Sequence, residues 1–149
     1  MFRKVDVSAV IGEILPIINN EAILNDVVVQ YITEKSLPPV IADPELLKQV
    51  FLNISKNGIE AMTEGGILTI SESLDTREMR VNIDIRDTGA GIPTFLIDKI
   101  FDPFFTTKEK GTGLGLSVCQ RIIHDIHGTI RVSSKGYGTT FTISIPVAK

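Results

Sequence analysis

The sequence is poor in the residues that build disulfides, metal clusters and histidine-based catalytic sites. Its 149 residues include one cysteine and two histidines. A lone cysteine forms no internal disulfide, so the chain carries no sign of an oxidising compartment. Cys119 follows Val118 in an apolar stretch of a predicted helix, where we expect a small buried side chain and not a nucleophile or a metal ligand.

Positive charge is scarce as well. The chain has 15 Lys and Arg residues against 18 Asp and Glu residues, which leaves a net charge of −3. This balance gives no electrostatic footprint for a polyanionic duplex, so we expect no nucleic acid partner. Any phosphate binding must then depend on a local arrangement of residues. The chain length and the 43% share of hydrophobic residues are typical of one globular domain over residues 1–149.

Long hydrophobic runs are absent near the amino-terminal end. Glu13, Glu21 and Asp26 interrupt the apolar residues of the first segment, which also lacks the layout of a signal peptide. We therefore expect a cytoplasmic, soluble chain, whose parent protein could still be anchored in a membrane by sequence upstream.

Apolar residues at helical spacing predict the helices of the fold. They run from about Val7 to Ile18, from Pro44 to about Met62 and from Gly115 to His127, and a short helical stretch follows Pro93. We expect Asp43 to cap the second helix, with Pro44 in the first helical position where its missing N–H costs nothing. Gly128 is expected to cap the third helix at its carboxyl end.

Alternating apolar and polar residues predict the strands. They are Val27–Ile32, Ile67–Leu74, Val81–Ile85, Thr129–Ser133 and Thr139–Ile145. The second and third of these form a predicted hairpin, and so do the last two. Helices and mainly antiparallel strands in this order predict an α/β (α+β) fold, a two-layer sandwich in which helices cover one face of a mixed, mainly antiparallel sheet.

The second predicted helix carries two amides on one stripe. Asn53, Asn57 and Glu60 lie about 100° around the helix from the apolar line through Ile54. A neutral amide oxygen suits Mg²⁺ that already bridges nucleotide phosphates, because such a metal needs only one or two protein ligands. Lys56 on a neighbouring stripe could reach the same phosphates. An ordinary polar helix face explains these residues equally well.

A second polar pattern ends the third predicted strand. Asp87 precedes a glycine-rich turn, Thr88-Gly89-Ala90-Gly91-Ile92-Pro93. A carboxylate in this position can accept a hydrogen bond from an exocyclic amine, and the glycines let backbone approach a planar ring. Adenine has that amine, whereas guanine presents a carbonyl there. A plain Asp-Thr-Gly turn is the alternative interpretation.

A third pattern, Gly111-Thr112-Gly113-Leu114-Gly115-Leu116-Ser117, leads into a helix whose free N–H groups favour a phosphate. A Rossmann site does not fit, because no strand directly precedes this stretch and Val118 stands where a glycine is required. The Walker loop and the protein-kinase signatures are also missing. The preceding segment, residues 101–115, has neither helical nor strand period and is predicted to be a long functional loop.

In this order, the patterns resemble the nucleotide-binding boxes of sensor histidine kinases, within the superfamily (Bergerat fold) that includes DNA gyrase and heat-shock chaperone ATPases. The resemblance covers nearly the whole chain. Its blocks are an asparagine box at Leu52–Ala61, a first glycine box at Asp87–Pro93, a phenylalanine box at Phe101–Phe105, a second glycine box at Gly111–Leu116 and a closing strand at Gly138–Phe141.

The resemblance implies specific roles. Asn57, with Asn53 beside it, would coordinate Mg²⁺, and Asp87 would hold the adenine amine of ATP. Lys56 and Lys108 would meet phosphate, and residues 101–113 would form a mobile lid over the triphosphate. Further nucleotide contacts are implied for Gly89, Gly91, Ile92, Phe104, Thr106, Gly111, Thr112, Gly113, Leu114, Gly115, Leu116 and Thr140. For Phe104, packing in the core is the simple alternative.

The sequence departs from the superfamily pattern at two positions of the asparagine box. Chaperone and gyrase relatives carry a water-activating glutamate where this chain has Asn53, and an amide is no general base. Phosphoryl transfer depends mainly on positioning and charge neutralisation, so a nucleophile from another domain can replace activated water. A largely neutral histidine suits that task. Glu60 stands where many sensor kinases carry a basic residue, so we assign phosphate contact to Lys56 instead.

The expected phosphoacceptor histidine is missing. In the family it precedes the asparagine box and is followed by an acidic residue and a proline, whereas this chain has only His124 and His127. His124-Asp125 imitates the motif but has Thr129 where proline belongs. His127 suits a helix carboxyl terminus by its partial charge. No nucleophile motif accompanies the histidines, which argues against a hydrolase.

The resemblance therefore implies a catalytic domain that binds Mg·ATP and transfers the γ-phosphoryl group to a histidine on a separate dimerisation domain of a two-component sensor kinase. That histidine would pass phosphate to the receiver domain of a response regulator. Residues 1–6 could be the junction with the dimerisation domain. We expect the isolated domain to be a monomer and its parent a homodimer. The alternatives are an ATP-binding regulatory or interaction module without phosphotransfer, and a serine kinase or stand-alone ATPase.

Overall fold

The structure, a computed structural model, describes residues 1–34, 36–103, 105, 115–135 and 137–149. In chain order its elements are β1 (Arg3–Val5), α1 (Val7–Leu24), β2 (Val27–Thr33), β3 (Val40–Ala42), α2 (Pro44–Ala61), β4 (Gly66–Asp75), β5 (Arg80–Asp87), α3 (Thr94–Ile97), α4 (Gly115–Asp125), β6 (Thr129–Lys135) and β7 (Tyr137–Pro146). The main sheet has the strand order β2-β4-β5-β7-β6. Strands β2 and β4 are parallel, and the other neighbours are antiparallel.

Alternation along the strands separates a core face of this sheet from a more polar one. In β5, Val81, Ile83 and Ile85 are buried, while Asn82 and Asp84 between them are only partly buried. Each fully buried side chain of this size contributes about 1.5–3 kcal/mol relative to an exposed one. Helix α2 packs between α1 and α4 in the layer that covers the core face. The predicted two-layer fold with a mainly antiparallel sheet is confirmed.

Helix α2 begins as the sequence predicts. The side chain of Asp43 accepts the backbone N–H of Glu45 at 3.0 Å, and Pro44 occupies the first helical position. A cap of this kind stabilises a helix by about 1 kcal/mol. The buried stripe of α2 then consists of Leu47, Val50, Phe51, Ile54, Ser55, Gly58 and Ile59.

Helix α1 extends beyond its predicted end at Ile18 and reaches Leu24. Asn19 and Asn20 are exposed on its outer side, while Ala22 continues the buried stripe. Core packing of that stripe therefore outweighs the weak helix propensity of asparagine.

By length and composition, α1 could also cross a membrane, since its mean hydropathy is 1.4 over 18 residues. One helix of this kind is weak evidence for a membrane span. A buried core helix has the same composition, and one side of α1 lies in the hydrophobic core.

The carboxyl end of α4 is capped one residue earlier than expected. His127 adopts the left-handed conformation with φ 63°, and its N–H donates to the His124 carbonyl at 2.9 Å. The N–H of Gly128 donates to the Ile123 carbonyl at 2.9 Å, which completes a Schellman motif. Position 128 requires glycine for space, because a β-carbon there would lie 2.7 Å from the Ser144 carbonyl oxygen.

Strands β1 and β3 form a separate antiparallel ribbon that was not predicted. Each has three residues. Such short strands show too little alternation to be recognised from sequence, and only their mutual pairing defines them.

Candidate functional site

The carboxylate of Asp87 lies at the end of β5, on the core face of the sheet. Its residue is only 5% exposed, because it continues the alternation that buries Ile83 and Ile85. The carboxylate accepts the N–H of Gly89 at 2.8 Å and the N–H of Thr139. Burial raises the pKa of Asp87, and these two hydrogen bonds oppose part of that shift.

No cation balances this carboxylate within the described part of the chain, where the ion pairs involve other acidic groups. A buried, partly desolvated acceptor of this kind is stabilised by additional N–H donors. Asp87 is therefore a suitable partner for a neutral amine of a ligand.

The glycine-rich turn after Asp87 is packed against two other parts of the fold. A β-carbon on Gly89 would lie 2.5 Å from the carbonyl oxygen of Ala61, at the end of α2. The carbonyl of Gly89 accepts the N–H of Gly138, near the start of β7, at 2.7 Å. Gly91 has φ 82°, which favours glycine. The predicted first glycine box therefore has a defined place between α2 and the last hairpin.

Ser134 in β6 is a site residue that the sequence analysis missed. Its hydroxyl accepts the N–H of Ile92 at 2.8 Å and donates to the carbonyl of Gly138 at 2.7 Å. A single serine in a strand carries no motif. Only the pairing of β6 with β7 brings this residue to the glycine-rich turn.

The sheet register places Thr139, and not Thr140, on the face that carries Asp87. Strand pairing places Asp87 opposite Thr139 and exposed Arg86 opposite Thr140. Thr139 is 5% exposed on the core face. Because successive side chains of a strand point to opposite faces, Thr140 lies on the other face, and Thr139 is the threonine beside Asp87.

The amide of Asn53 on α2 lies beside the start of α4. The side-chain nitrogen of Asn53 donates to the carbonyl of Gly115 at 3.5 Å and lies 3.7 Å from the sulfur of Cys119. Asn57 follows one helical turn later, so its side chain is on the same side of α2 as that of Asn53. Leu116, in the first turn of α4, is half-buried, as are both amides.

Cys119 is fully buried, which confirms the sequence-based expectation. Burial raises the pKa of its thiol to about 11, and the hydrogen bond from Asn53 opposes part of that shift. A thiol in this state is protonated at neutral pH and is a poor nucleophile.

Several predicted contacts lie outside the described residues. They are Phe104, Thr106, Lys108, Gly111, Thr112, Gly113 and Leu114, which belong to the predicted lid and the second glycine box. At the start of this segment, Phe101 packs edge-on against Phe141 of β7, with ring centroids 6.3 Å apart. Phe105 is partly buried against the core.

The remaining residues singled out from sequence lie on the surface of the helices. Lys56 is half-buried on α2, and Glu60 near the end of that helix is exposed. His124 and His127 are both exposed at the carboxyl end of α4.

The donor set suits a metal ion that enters with a nucleotide. Among the described residues, no three His, Cys, Asp or Glu side chains converge to hold a metal. Asn53 uses its amide nitrogen toward Gly115, which leaves amide oxygen as its other polar group. One or two neutral oxygens are sufficient for Mg²⁺ that is also bound by phosphates and water.

Comparison with known proteins identifies the family. The profile described as "Histidine kinase-, DNA gyrase B-, and HSP90-like ATPase" matches residues 42–149. The chain is 48% identical over 142 residues to Sporulation kinase D of Bacillus subtilis strain 168, and the match covers 93% of this chain and 28% of that protein. The chain thus spans well under a third of this curated relative.

Solved structures show the same relationship. A nucleotide-free catalytic domain of histidine kinase ThkA matches with a TM-score of 0.89 at 33% identity, covering 99% of this chain and 96% of that chain. Histidine kinase ThkA in complex with response regulator protein TrrA matches with a TM-score of 0.83 at 31% identity, over 99% of this chain and 42% of that chain. The chain belongs to the histidine kinase-, DNA gyrase B- and HSP90-like ATPase family and has the fold of a histidine kinase catalytic domain.

Proposed function

We propose that residues 1–149 act as one catalytic domain, which binds Mg·ATP and donates the γ-phosphoryl group to a histidine on a separate dimerisation domain. The observation that carries this proposal is the buried carboxylate of Asp87, which has backbone donors but no ion-pair partner among the described residues. The exocyclic amine of adenine would supply a further donor. Guanine would instead bring a carbonyl oxygen toward a carboxylate oxygen, and two acceptors repel each other.

The adenine side of the proposed site is formed by Asp87, Thr139 and the turn that contains Gly89, Gly91 and Ile92. Thr139 replaces Thr140 in this role. The hydrogen bonds around Asp87 support the assignment, because they link the carboxylate to the turn and the turn to β7. Preorganised groups lose less entropy on binding.

The phosphate side would be formed by α2 and the start of α4. Asn57 and Asn53 would hold Mg²⁺, which neutralises phosphate charge when bound, and Lys56 would meet phosphate. Gly115 and Leu116 begin a helix whose amino-terminal N–H groups favour anions. By resemblance, Phe104, Thr106, Lys108 and Gly111–Leu114 would complete the site as a lid.

The transfer itself requires positioning more than acid–base chemistry. A neutral imidazole nitrogen would form a bond to the γ-phosphorus while the bond to the β–γ bridging oxygen breaks. ADP leaves, and the imidazole ring releases its remaining N–H proton to solvent. Asn53 cannot activate water, which favours a histidine acceptor over hydrolysis.

The partners follow from the same proposal. The acceptor histidine would lie in a dimerisation domain of a homodimeric sensor kinase, on the cytoplasmic side if the parent is anchored in a membrane. Because histidine kinase ThkA forms a complex with a response regulator, we propose that the phosphoryl group passes on to an aspartate of a receiver domain.

Two measurements test the proposal in sequence. Calorimetric titration of the chain with ATP and GTP, with Mg²⁺ or EDTA, should show binding that prefers ATP and requires the metal. Asn57→Ala should remove the metal dependence. Unchanged Mg²⁺ dependence in that variant would exclude Asn57 from the metal site.

The second measurement mixes the chain with γ-labelled ATP and the histidine-bearing dimerisation domain of its parent. We expect label on that domain in an acid-labile, base-stable form, as for phosphohistidine. Proven ATP binding without transfer would instead support the regulatory module, and label released as phosphate would support a stand-alone ATPase.

A further inference from the structure

We propose that Ser134 is a positioning residue that shapes the adenine side of the site, by joining the glycine-rich turn to the β6–β7 hairpin. The inference rests on the proposed ATP binding, which it deepens by naming a residue outside the nucleotide-binding boxes. Ser134 is 42 positions from Ile92, its partner in the turn.

The hydroxyl of Ser134 takes part in a continuous hydrogen-bonded path. It accepts the N–H of Ile92 at 2.8 Å and donates to the carbonyl of Gly138 at 2.7 Å. The hydroxyl of Thr139 lies 3.4 Å away and can donate to the same oxygen. One side chain therefore contacts the far end of the turn, the hairpin and the threonine beside Asp87.

A second link fixes the near end of the same turn. The N–H of Gly138 donates to the carbonyl of Gly89 at 2.7 Å. Gly138 has φ 73°, and a β-carbon there would lie 2.9 Å from the carbonyl oxygen of Asp87. The hairpin therefore contacts the backbone of Asp87. Hydrogen bonds at Gly89 and at Ile92 fix both ends of the turn.

The chemistry at position 134 requires a hydroxyl. Only a group that donates and accepts at once can serve the Ile92 N–H and the Gly138 carbonyl together. With alanine at position 134, the Ile92 N–H and the Gly138 carbonyl would both lose their hydrogen-bond partner in a half-buried position. The turn would then lose its link at Ile92 while the Gly138–Gly89 link remained, so the main consequence should be a displaced adenine pocket.

The adjacent Ser133 offers a matched control. It is exposed and pairs with Thr140, on the face of the sheet away from Asp87. Ser133→Ala therefore makes the same chemical change in the same strand without touching the turn. Ser134→Thr keeps a hydroxyl at this position and tests whether the hydroxyl is sufficient for normal ATP binding.

The experiment titrates the wild-type chain and the three variants with ATP, AMP and inorganic tripolyphosphate in Mg²⁺ by calorimetry. Ser134→Ala should weaken ATP and AMP binding by about 5–10-fold, which is the usual effect of losing one hydrogen bond. Tripolyphosphate binding should stay unchanged, because that ligand has no base. Ser134→Thr should bind ATP within about 2-fold of wild type, and Ser133→Ala should match wild type.

Three results would overturn the inference. ATP binding by Ser134→Ala equal to that of Ser133→Ala would show that the hydroxyl positions nothing. An equal loss of tripolyphosphate binding would point to a general structural role. If the wild-type chain bound tripolyphosphate but neither ATP nor AMP, the proposed function would fail and the inference with it, which separates this result from the other two.

Discussion

Gly58 of α2 lies against the side chain of Asp87. A β-carbon at position 58 would be 3.4 Å from the Cβ and 3.5 Å from Oδ2 of Asp87, and 2.9 Å from Cδ1 of Leu68. Glycine inside a helix costs about 1 kcal/mol relative to alanine. Its presence here allows the α2 backbone to approach the end of β5, so that the helix forms one wall beside the buried carboxylate.

This contact predicts different effects for two glycine substitutions. A β-carbon added to Gly12 in α1 would have no atom within 4 Å, so Gly12→Ala should raise the free energy of unfolding by about 0.5–1 kcal/mol. Gly58→Ala should raise the free energy of unfolding by clearly less than Gly12→Ala does, or lower it, because the buried side chain of Leu68 must move. Urea unfolding of both variants checks this, and equal gains would show that α2 has spare room.

Replacing Asp87 by Asn should separate binding from stability. Burial raises the pKa of Asp87 above its ordinary value of 3.8. A raised pKa contributes stability that is present below the unfolded-state pKa and is lost as the pH rises through the folded-state pKa. The stability of Asp87→Asn relative to wild type should therefore be more favourable at about pH 7 than at about pH 3.

The same variant should lose the preference for ATP over GTP by about 10-fold or more, since it replaces a charged acceptor by an amide. Unfolding curves at both pH values and competition binding measure the two effects. A relative stability independent of pH would mean that the carboxylate is not desolvated, and an intact ATP preference would remove Asp87 from base recognition.

The thiol of Cys119 should be inert in the folded chain. Its pKa is raised from 9.0 to about 11 by burial. At about pH 8, reaction with an aromatic disulfide reagent should be at least about 100-fold slower than in denaturant. Fast labelling without denaturant would contradict the burial of α4 against α2.

The raised pKa of Cys119 also predicts that the free energy of unfolding changes at alkaline pH. Its contribution is complete below the ordinary value of 9.0 and is lost as the pH rises through about 11. Wild type should therefore lose stability relative to Cys119→Ala in that interval. A constant difference between the two unfolding free energies would count against this assignment.

The buried carboxylate of Glu72 in β4 predicts that Glu72 and Tyr31 contribute to stability in a coupled way. Glu72 is 3% exposed, and its Oε1 accepts hydrogen bonds from Tyr31 and from Ser8 at 2.7 Å. Burial, followed by the hydrogen bond with Glu72, raises the pKa of Tyr31 above 10.0. Tyr31→Phe should cost about 1–3 kcal/mol, because the carboxylate loses a donor.

In a Glu72→Met background, the same Tyr31→Phe change should cost less than about 1 kcal/mol, since the side chain that accepts the Tyr31 hydroxyl is gone. A double-mutant cycle from urea unfolding measures the difference. Additive costs would show that the Tyr31 hydroxyl contributes to stability independently of Glu72.

Local signals in the sequence determined much of this protein. The cap at Asp43 and Pro44, the strand alternation and the helical stripe of α2 depend on residues a few positions apart. They led to the correct fold class, and the ordered boxes led to the family that the comparisons show. Such features are readable because their physical causes act within one element.

Tertiary structure decided the details of the site. The pairing of β5 with β7 placed Thr139 and not Thr140 beside Asp87, and the pairing of β6 with β7 brought Ser134 to Ile92. The burial and raised pKa of Asp87 likewise depend on packing at the sheet end. A one-residue change of register exchanges the two faces of a strand, so the sequence alone did not show which threonine lies beside Asp87. Ser134 and Ile92 are 42 positions apart, and no periodic pattern in the sequence connects residues at that distance.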